Sequence, residues 1–162
     1  THMRQSVRAI VVREGRTLGM YRNKFGNEYY TLVGGGVDMG ETLEEALARE
    51  LREETGFVVS SARPVFVEDA GDIYGPQYMY LCEVEGDEPR LGEDTEEFKT
   101  KAFGNIYEPK WVDMASLDSL PFRSERLKRA LLYCAEHGWP EKQAALDDQY
   151  VFNLYNGQGK EV

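Results

Sequence analysis

The sequence predicts an α/β fold in which a mixed β-sheet lies between helices, as an α/β/α sandwich. The chain has 162 residues, which suits one domain of the usual ~100–200 residues. Short runs rich in β-branched and aromatic residues are separated by glycine-containing turns, and two longer stretches have helical periodicity. Strands and helices that alternate in a chain of this size pack as layers around one core. We expect the domain to span residues 4–162, with residues 1–3 as a remnant of cloning.

The N-terminal part of the chain contains three strand-like runs. The runs at residues 7–12 and 18–22 are joined by a turn at Glu14-Gly15, and a third run covers residues 29–33. Three consecutive glycines at residues 34–36 follow the third run directly. We expect the glycines to break this strand.

The remainder of the chain adds two helices and further strands. Helices are predicted over residues 43–54 and 124–137, strands over 57–67, 77–85 and 111–112, and an edge strand over 149–155. Residues 87–100 are acidic with little apolar content. This acidic segment is expected to be a solvated loop.

Charge and cysteine content exclude several classes of function. The net charge is −10, whereas nucleic acids and anionic membranes require a basic face. No apolar stretch approaches the ~18–20 residues of a membrane span, and no signal peptide precedes the first strand. Cys82 and Cys134 are too few for a disulfide framework. We therefore expect a cytoplasmic protein without nucleic-acid or membrane partners, with a homodimer left open.

The helix at residues 43–54 has clear end signals. Thr42 and Glu45 are spaced as a capping box, and Gly56 is placed as a C-terminal stop. Glutamates in the first turn are favoured by the helix dipole. These features define the helix without reference to function.

Three glutamates near the end of this helix have no such explanation. Glu50, Glu53 and Glu54 lie where the dipole disfavours anions, and at ~100° per residue they fall within or beside the apolar stripe. At ~6 Å and an effective dielectric of ~20, each pair would repel by ~3 kcal/mol, and desolvation adds several kcal/mol per ion. A hard divalent cation such as Mg²⁺ offsets these costs. The alternative is a solvated, charged helix surface.

A longer pattern contains the same glutamates. Residues 35–57 follow G-x5-E-x7-R-E-U-x-E-E-x-G-U, where U is bulky and apolar, with all nine specified positions filled in 23 residues. This pattern resembles the signature box of the Nudix hydrolases, the MutT-like superfamily. The box covers about a seventh of the chain. The resemblance implies the Nudix α/β/α fold and a metal-dependent hydrolase that attacks a phosphorus atom with water.

The resemblance also implies roles for individual residues. Glu53 and Glu54 would bind Mg²⁺ or Mn²⁺, and Glu50 would be a ligand or the base that activates water. Arg49 would orient these glutamates, and Glu41 would support the site by charge or hydrogen bonding. The backbone carbonyl of Gly34 would be a further metal ligand. Val33 stands where many relatives have proline, a difference that concerns the stiffness of this segment and not metal binding.

Residues outside the box are weaker candidates. Arg22 and Lys24 follow the second strand and are candidates to contact a terminal phosphate, with a solvated strand end as the alternative. Tyr30 is chosen over Tyr29 as the aromatic contact. Relatives often place another glutamate on a later loop, and Glu97 is chosen from the candidates Glu93, Glu96 and Glu97.

The sequence therefore predicts a Mg²⁺-dependent pyrophosphohydrolase that acts on a small nucleotide. An ordinary or oxidised nucleoside triphosphate is the first choice, and a nucleoside diphosphate-linked metabolite such as ADP-ribose stays open. The position of Tyr74 keeps a dinucleoside polyphosphate open as well. A nucleotide-binding module without catalysis and an isomerase of the isoprenoid type are the rivals. An RNA-decapping enzyme is disfavoured by the negative charge.

Overall fold

A computed structural model describes residues 4–71 and 74–157 of the chain. The expected cloning remnant, residues 1–3, lies outside the described residues. The strands are β1 (Ser6–Ile10), β2 (Val12–Arg13), β3 (Arg16–Lys24), β4 (Asn27–Thr31), β5 (Val33–Gly36), β6 (Val58–Asp69), β7 (Pro76–Glu85), β8 (Asn105–Asp113) and β9 (Ala144–Ala145). The helices are α1 (Leu43–Thr55), α2 (Glu96–Lys99), α3 (Met114–Leu117), α4 (Glu125–His137) and α5 (Asp148–Tyr155), and a 3-10 turn covers Thr100–Phe103.

The strands form two sheets. The larger sheet has the order β5-β1-β7-β6-β9. It is mixed, because β1 pairs with β7 and β6 pairs with β9 in parallel, while the other pairs are antiparallel. The smaller sheet is antiparallel, with β8 on one side of β3 and β2 and β4 on the other.

Helices cover both faces of the larger sheet. Val7 and Ala9 of β1 share a buried cluster with Leu47 of α1, whereas Ile10 of the same strand packs in a second cluster with Leu131 of α4. Successive side chains of a strand point to opposite faces, so α1 and α4 lie on opposite sides of the sheet. The predicted α/β/α sandwich with a mixed sheet is confirmed. None of the helices in the described ranges is long and apolar enough to span a membrane.

Helix α1 begins and ends at the residues that the sequence predicted. The Thr42 hydroxyl accepts from the Glu45 N–H at 3.0 Å, and the Glu45 carboxylate accepts from the Thr42 N–H at 2.9 Å, which completes the capping box. Gly56 ends the helix in the left-handed conformation at φ 80°, which glycine adopts without steric cost.

The prediction that residues 34–36 break the strand was wrong. These glycines belong to β5, which pairs with β1 in register Arg8↔Gly34. A Cβ atom on Gly34 would overlap the backbone carbonyl of Val7. Glycine is therefore needed for β5 to approach β1 closely, and the triplet is part of the sheet.

The predicted edge strand over residues 149–155 was also wrong, because this segment is helix α5. The Asp147 carboxylate accepts from the Tyr150 N–H at 2.8 Å and caps the helix. Val151 and Leu154 lie on its buried side, against the cluster that contains α4. Apolar residues three apart fit a helix better than a strand.

Two further predictions underestimated the secondary structure of the C-terminal half, in the acidic segment 87–100 and at residues 111–112. The acidic segment 87–100 contains the buried Leu91 and the short helix α2, capped by Thr95, so it is not wholly a solvated loop. The short strand predicted at residues 111–112 is the end of β8, which has nine residues and pairs with β3 along its whole length.

Candidate active site

The glycine strand β5 allows the end of α1 to approach the sheet. Gly34 donates its backbone N–H to Glu54 Oε1 at 3.0 Å. A Cβ atom on Gly35 would lie 2.7–2.9 Å from the carboxylate atoms of Glu50. Two carboxylates therefore occupy space that side chains on β5 would otherwise fill.

Both glutamate side chains are buried, which opposes ionisation of their carboxyl groups. Glu50 is 7% and Glu54 is 4% exposed. Burial, with the neighbouring Glu50 as the second cause, raises the pKa of Glu54 to about 8, against the opposing effects of Arg8 and the Gly34 N–H. Burial also raises the pKa of Glu50, which Arg49 partly counteracts. The protein alone therefore compensates these two charges incompletely.

Arg49 organises the acidic residues around it. Its Nε and Nη2 donate to the two Glu41 carboxylate oxygens at 2.7 and 2.9 Å, and Nη2 also donates to the Gly36 carbonyl at 3.1 Å. Nη1 donates to Glu50 at 2.9 Å and to Glu53 at 3.4 Å. The Arg49 hydrogen bonds, opposed by partial burial, lower the pKa of Glu41 to about 2. This arrangement is a bidentate clamp on Glu41 that also fixes one side of the glutamate cluster.

Glu50 and Glu54 face a cavity of about 610 Å³. The cavity lies between the glycine strand, the adjacent ends of β6 and β7 at Glu68 and Gln77, and the inner side of the smaller sheet. Six of the 19 basic residues of this acidic chain line it. These six are Arg4, Arg8, Arg22, Lys24, Arg123 and Arg126. The cavity therefore combines buried carboxylates at one end with a positively charged lining.

Three of these arginines lie over tyrosine rings, and Arg22 and Arg123 are the closest to theirs. The Arg22 guanidinium is 3.5 Å from the centroid of the Tyr107 ring, and its Nη2 donates to Asn105 Oδ1 at 2.7 Å. The Arg123 guanidinium is 3.9 Å from the centroid of Tyr29. Cation–π contacts hold the guanidinium groups in fixed positions. The two arginines thus present oriented donors along the cavity.

The structure corrects the choice between the two adjacent tyrosines. Tyr29 is buried and lines the cavity, whereas Tyr30 lies on the other face of β4. Tyr30 makes an edge-to-face contact with Tyr21, with ring centroids 5.5 Å apart, and packs against the core cluster around α4. Adjacent residues of a strand point to opposite faces, so only one of the two side chains can enter the cavity, and that residue is Tyr29.

The other predicted contacts lie at the cavity. Arg22 and Lys24 both line it, with Lys24 at its exposed margin. Tyr74 also lines the cavity and is 56% exposed. The Arg4 guanidinium lies 5.8 Å from its ring centroid.

The three acidic residues predicted after β7 are separated by the structure. Glu97, in α2, lines the main cavity together with Glu50 and Glu54, and it also lines a smaller adjoining cavity beside Arg49. Glu96 lines only the smaller cavity, and Glu93 lines neither. Among the three, Glu97 is therefore nearest to the buried pair.

Arg8 was missed by the sequence analysis. It lies on β1 beside Gly34 and lines the cavity. Its Nη1 donates to the Leu32 carbonyl at 3.1 Å, and its Nε donates to Gln77 Oε1 at 3.0 Å. Burial lowers its pKa, against the raising effects of Glu54 and Glu50. The sequence did contain a sign of this residue's role, because Arg8 is the one charged residue in the otherwise apolar run at residues 7–12.

The donor chemistry of the site fits a hard divalent cation. Glu50 and Glu54 supply buried carboxylate oxygens, and such oxygens are the preferred ligands of Mg²⁺. Among the described residues, no three acidic, histidine or cysteine side chains converge closely enough to hold an ion in their present positions. Glu53 is turned toward Arg49, and its side chain is 43% exposed. This residue was predicted to point inward, but it lines the smaller adjoining cavity instead of the main one.

Comparison with known proteins places this geometry in a family. The NUDIX domain model matches residues 2–132. The NAD-capped RNA hydrolase NudC of Chromobacterium violaceum is 31% identical over 113 residues, which cover 69% of this chain and 39% of that protein. The ADP-ribose pyrophosphatase of Methanocaldococcus jannaschii is 31% identical over 102 residues, which cover 60% of this chain and 54% of that protein.

A solved structure shows the same fold. The MutT NUDIX hydrolase from Burkholderia pseudomallei has a TM-score of 0.56 and 26% sequence identity, over 71% of this chain and 86% of that chain. The chain belongs to the Nudix family, which confirms the resemblance of residues 35–57 to its signature box. The aligned parts span 39% and 54% of the two curated relatives.

Proposed function

We propose that the protein is a divalent-cation-dependent pyrophosphohydrolase, which cleaves a diphosphate linkage in a nucleotide. The observation that carries this proposal is the buried pair Glu50 and Glu54 at the end of a cavity with a basic lining. Two buried, incompletely compensated carboxylates are costly without a cation. Arginines that line the rest of the cavity suit the phosphate groups of a substrate.

The roles of the box residues follow from their positions. Glu54 and Glu50 are proposed as ligands from the main cavity, with Glu53 joining them from the smaller adjoining cavity and the Gly34 carbonyl from β5. Glu50 is also a candidate for the base. A divalent cation at this site would screen the charge of the diphosphate and lower the pKa of bound water.

The supporting residues act on the glutamates or on the substrate. Arg49 fixes Glu41 and Glu50 in place through the hydrogen bonds described above. Glu97, which faces the same cavity, is a second candidate for the base. Arg22 and Arg8 are placed to bind phosphate oxygens, because both line the cavity next to the buried pair.

The substrate class is a free nucleotide. An ordinary or oxidised nucleoside triphosphate stays our first choice, and ADP-ribose is the alternative that the M. jannaschii relative supports by its name. The net charge of −10 disfavours the binding of a polyanionic RNA to the protein surface outside the cavity. Mg²⁺ is proposed as the cation and Mn²⁺ as its substitute. The two cysteines are free and buried, which supports the cytoplasm as the proposed compartment.

The proposal is tested with a panel of nucleotides. Nucleoside triphosphates, their 8-oxo derivatives, ADP-ribose, nucleotide sugars and dinucleoside polyphosphates are incubated with and without Mg²⁺, and the products are identified by chromatography and mass. We expect at least one of them to yield a nucleoside monophosphate product only when Mg²⁺ is present. Tight nucleotide binding without any cleavage would favour the rival interpretation, a binding module.

A further inference from the structure

We propose that Glu68 accepts a hydrogen bond from the nucleoside part of the substrate and thereby determines which nucleotides bind. This inference rests on the proposed function, because it names a recognition residue of the same cavity. Glu68 lies outside the Nudix box and outside every pattern found in the sequence. Its position and its hydrogen bonds carry the inference.

Glu68 is a buried carboxylate of which only one oxygen is engaged. The residue is 3% exposed, and its Oε2 accepts from Ser124 Oγ at 2.5 Å and from Arg126 Nε at 2.7 Å. No donor from the described residues reaches Oε1. Because Glu68 also lines the cavity, this oxygen is an available acceptor on its wall.

The two donors to Glu68 are themselves held in place. Ser124 caps helix α4, since its hydroxyl accepts from the Leu127 N–H at 3.2 Å. The Arg126 guanidinium lies 3.6 Å from Asp148 and donates to the Asp69 carbonyl at 3.4 Å. The Glu68 carboxylate therefore cannot rotate freely without losing charge-assisted hydrogen bonds. Oε1 is in this sense preorganised.

The register of the larger sheet places Glu68 opposite the proposed metal end. Gly34 pairs with Arg8, and Glu68 pairs with Gln77. Arg8 Nε donates to Gln77 Oε1 at 3.0 Å, so a continuous polar line crosses the sheet. In the strand order β5-β1-β7-β6, Glu68 is three strands from Gly34 and two residues beyond the position opposite it, or ~16 Å away at the usual strand spacing and rise. A nucleotide with its phosphates near Glu54 can extend that far with its nucleoside.

The chemistry of this acceptor selects its ligand. An ionised carboxylate oxygen accepts hydrogen bonds and donates none, so it binds a ribose hydroxyl or a nucleobase N–H group. It repels phosphate oxygens, which also favours the orientation with the phosphates at the Glu54 end. A nucleotide that lacks the matching donor would leave Oε1 unpaired in a buried position, and such unpaired groups are strongly disfavoured.

The substitution Glu68→Gln tests the inference because it inverts the polarity at this point. Ser124 and Arg126 both require an acceptor, so the amide oxygen takes the place of Oε2 and the amide NH₂ group faces the cavity. Dissociation constants are measured by calorimetry for GTP, ITP, dGTP and ATP, with Ca²⁺ in place of Mg²⁺ to limit turnover. GTP against ITP isolates the 2-amino donor, and GTP against dGTP isolates the 2′-hydroxyl. ATP against ITP compares a donor at the 6-amino group with a donor at N1–H.

We expect the unmodified protein to prefer the donor-bearing member of at least one pair by tenfold or more. Glu68→Gln should reduce that preference to less than threefold or reverse it. Glu83→Gln is the matched control, since Glu83 is exposed on β7 and the charge change is the same. Glu68→Asp keeps the charge but withdraws the oxygens, so it should weaken the same preference and also lower the melting temperature, because the hydrogen bonds from Ser124 and Arg126 are lost.

The outcomes separate this inference from the proposed function. Identical preferences in the unmodified protein and in both Glu68 variants would overturn the inference, even if Mg²⁺-dependent cleavage is observed. Altered preferences without cleavage of any nucleotide by the unmodified protein would support Glu68 as a recognition residue and contradict the proposed hydrolase. Absence of nucleotide binding would contradict both.

Discussion

The backbone N–H of Gly34 donates to Glu54 Oε1 at 3.0 Å, and this single hydrogen bond joins the glycine strand to the last turn of α1. Gly34 directly precedes the box, and Gly35 within the box leaves the space that the Glu50 carboxylate occupies. The glycines remove side chains from β5, and the helix fills the resulting space with carboxylates. The pair of elements therefore forms one unit in which the strand determines where the glutamates can lie.

A methyl group on this strand should displace a glutamate. Gly35→Ala places Cβ 2.7–2.9 Å from the Glu50 carboxylate atoms, closer than nonbonded contact allows. We expect the side chain of Glu50 to move and turnover to fall at least ~10-fold, with the fold retained. Gly36→Ala is the control, because its Cβ meets no atom closer than 4.0 Å. Equal activities in the two variants, measured as kcat, would contradict the proposed role of Glu50.

Replacement of the arginine clamp by lysine should damage the site although the charge is kept. Arg49→Lys loses the bidentate bond to Glu41 and the contacts with Glu50 and Gly36, since lysine cannot form the planar fork. Hydrogen bonds to charged groups contribute ~1.5–3 kcal/mol each. We expect the free energy of unfolding to fall by ~1–3 kcal/mol in urea titrations, and kcat to fall at least ~10-fold. Full activity in Arg49→Lys would show that Glu41 and Glu50 need no clamp.

Glu53 is a proposed metal ligand that lines the smaller cavity and not the main one, so its role needs a separate test. Its side chain is 43% exposed and 3.4 Å from Arg49, so Glu53→Gln should change stability little. If Glu53 completes the metal site, turnover should fall at least ~100-fold, as for other changes of metal ligands. Glu136→Gln, an exposed change of the same kind on α4, serves as the control. Turnover within twofold of the unmodified protein would remove Glu53 from the site.

Stability without metal should decrease as pH rises. Burial and the Glu50 charge raise the pKa of Glu54 from 4.5 to about 8. Between those values the folded chain retains a proton that the unfolded chain has lost, so the free energy of unfolding falls with increasing pH across this window. Arg8 and the Gly34 N–H oppose the shift, while Glu97 adds to it. Glu41, with a pKa of about 2, acts below the window.

This effect is measured by urea unfolding in EDTA from pH 5 to pH 8.5. The slope should be smaller in Glu54→Gln. Mg²⁺ competes with the proton for the carboxylate and should raise the melting temperature more at pH 8 than at pH 5.5. Parallel pH profiles for the two proteins would show that Glu54 is not the group that titrates.

Local signals in the sequence were sufficient for α1. The capping box at Thr42, the stop at Gly56 and the charge pattern of the glutamates depend on residues within one helix, so they could be recognised without knowledge of the fold. Helix α5 carried a similar signal in its cap at Asp147. The β-branched and aromatic residues of this segment favoured a strand, but burial against α4 determined the helix.

The lining of the cavity could not be predicted in the same way. Arg8, Glu68 and Arg123 are separated by 55–60 residues along the chain, and they meet because β1, β7 and β6 are neighbours in the sheet and α4 begins beside it. That pairing order depends on long-range contacts. The choice between Tyr29 and Tyr30 was wrong for the same reason. Strand alternation shows that the two side chains point to opposite faces of β4, but it does not show which face lines the cavity.

The most direct test of this account is Mn²⁺ binding, measured by electron paramagnetic resonance with the unmodified protein, Glu54→Gln and the control Glu83→Gln. If the buried pair at the end of the cavity holds the cation, the unmodified protein and Glu83→Gln should bind Mn²⁺ equally, and Glu54→Gln should bind it at least ~10-fold more weakly. Equal Mn²⁺ affinity in all three proteins would contradict a metal site at Glu50 and Glu54.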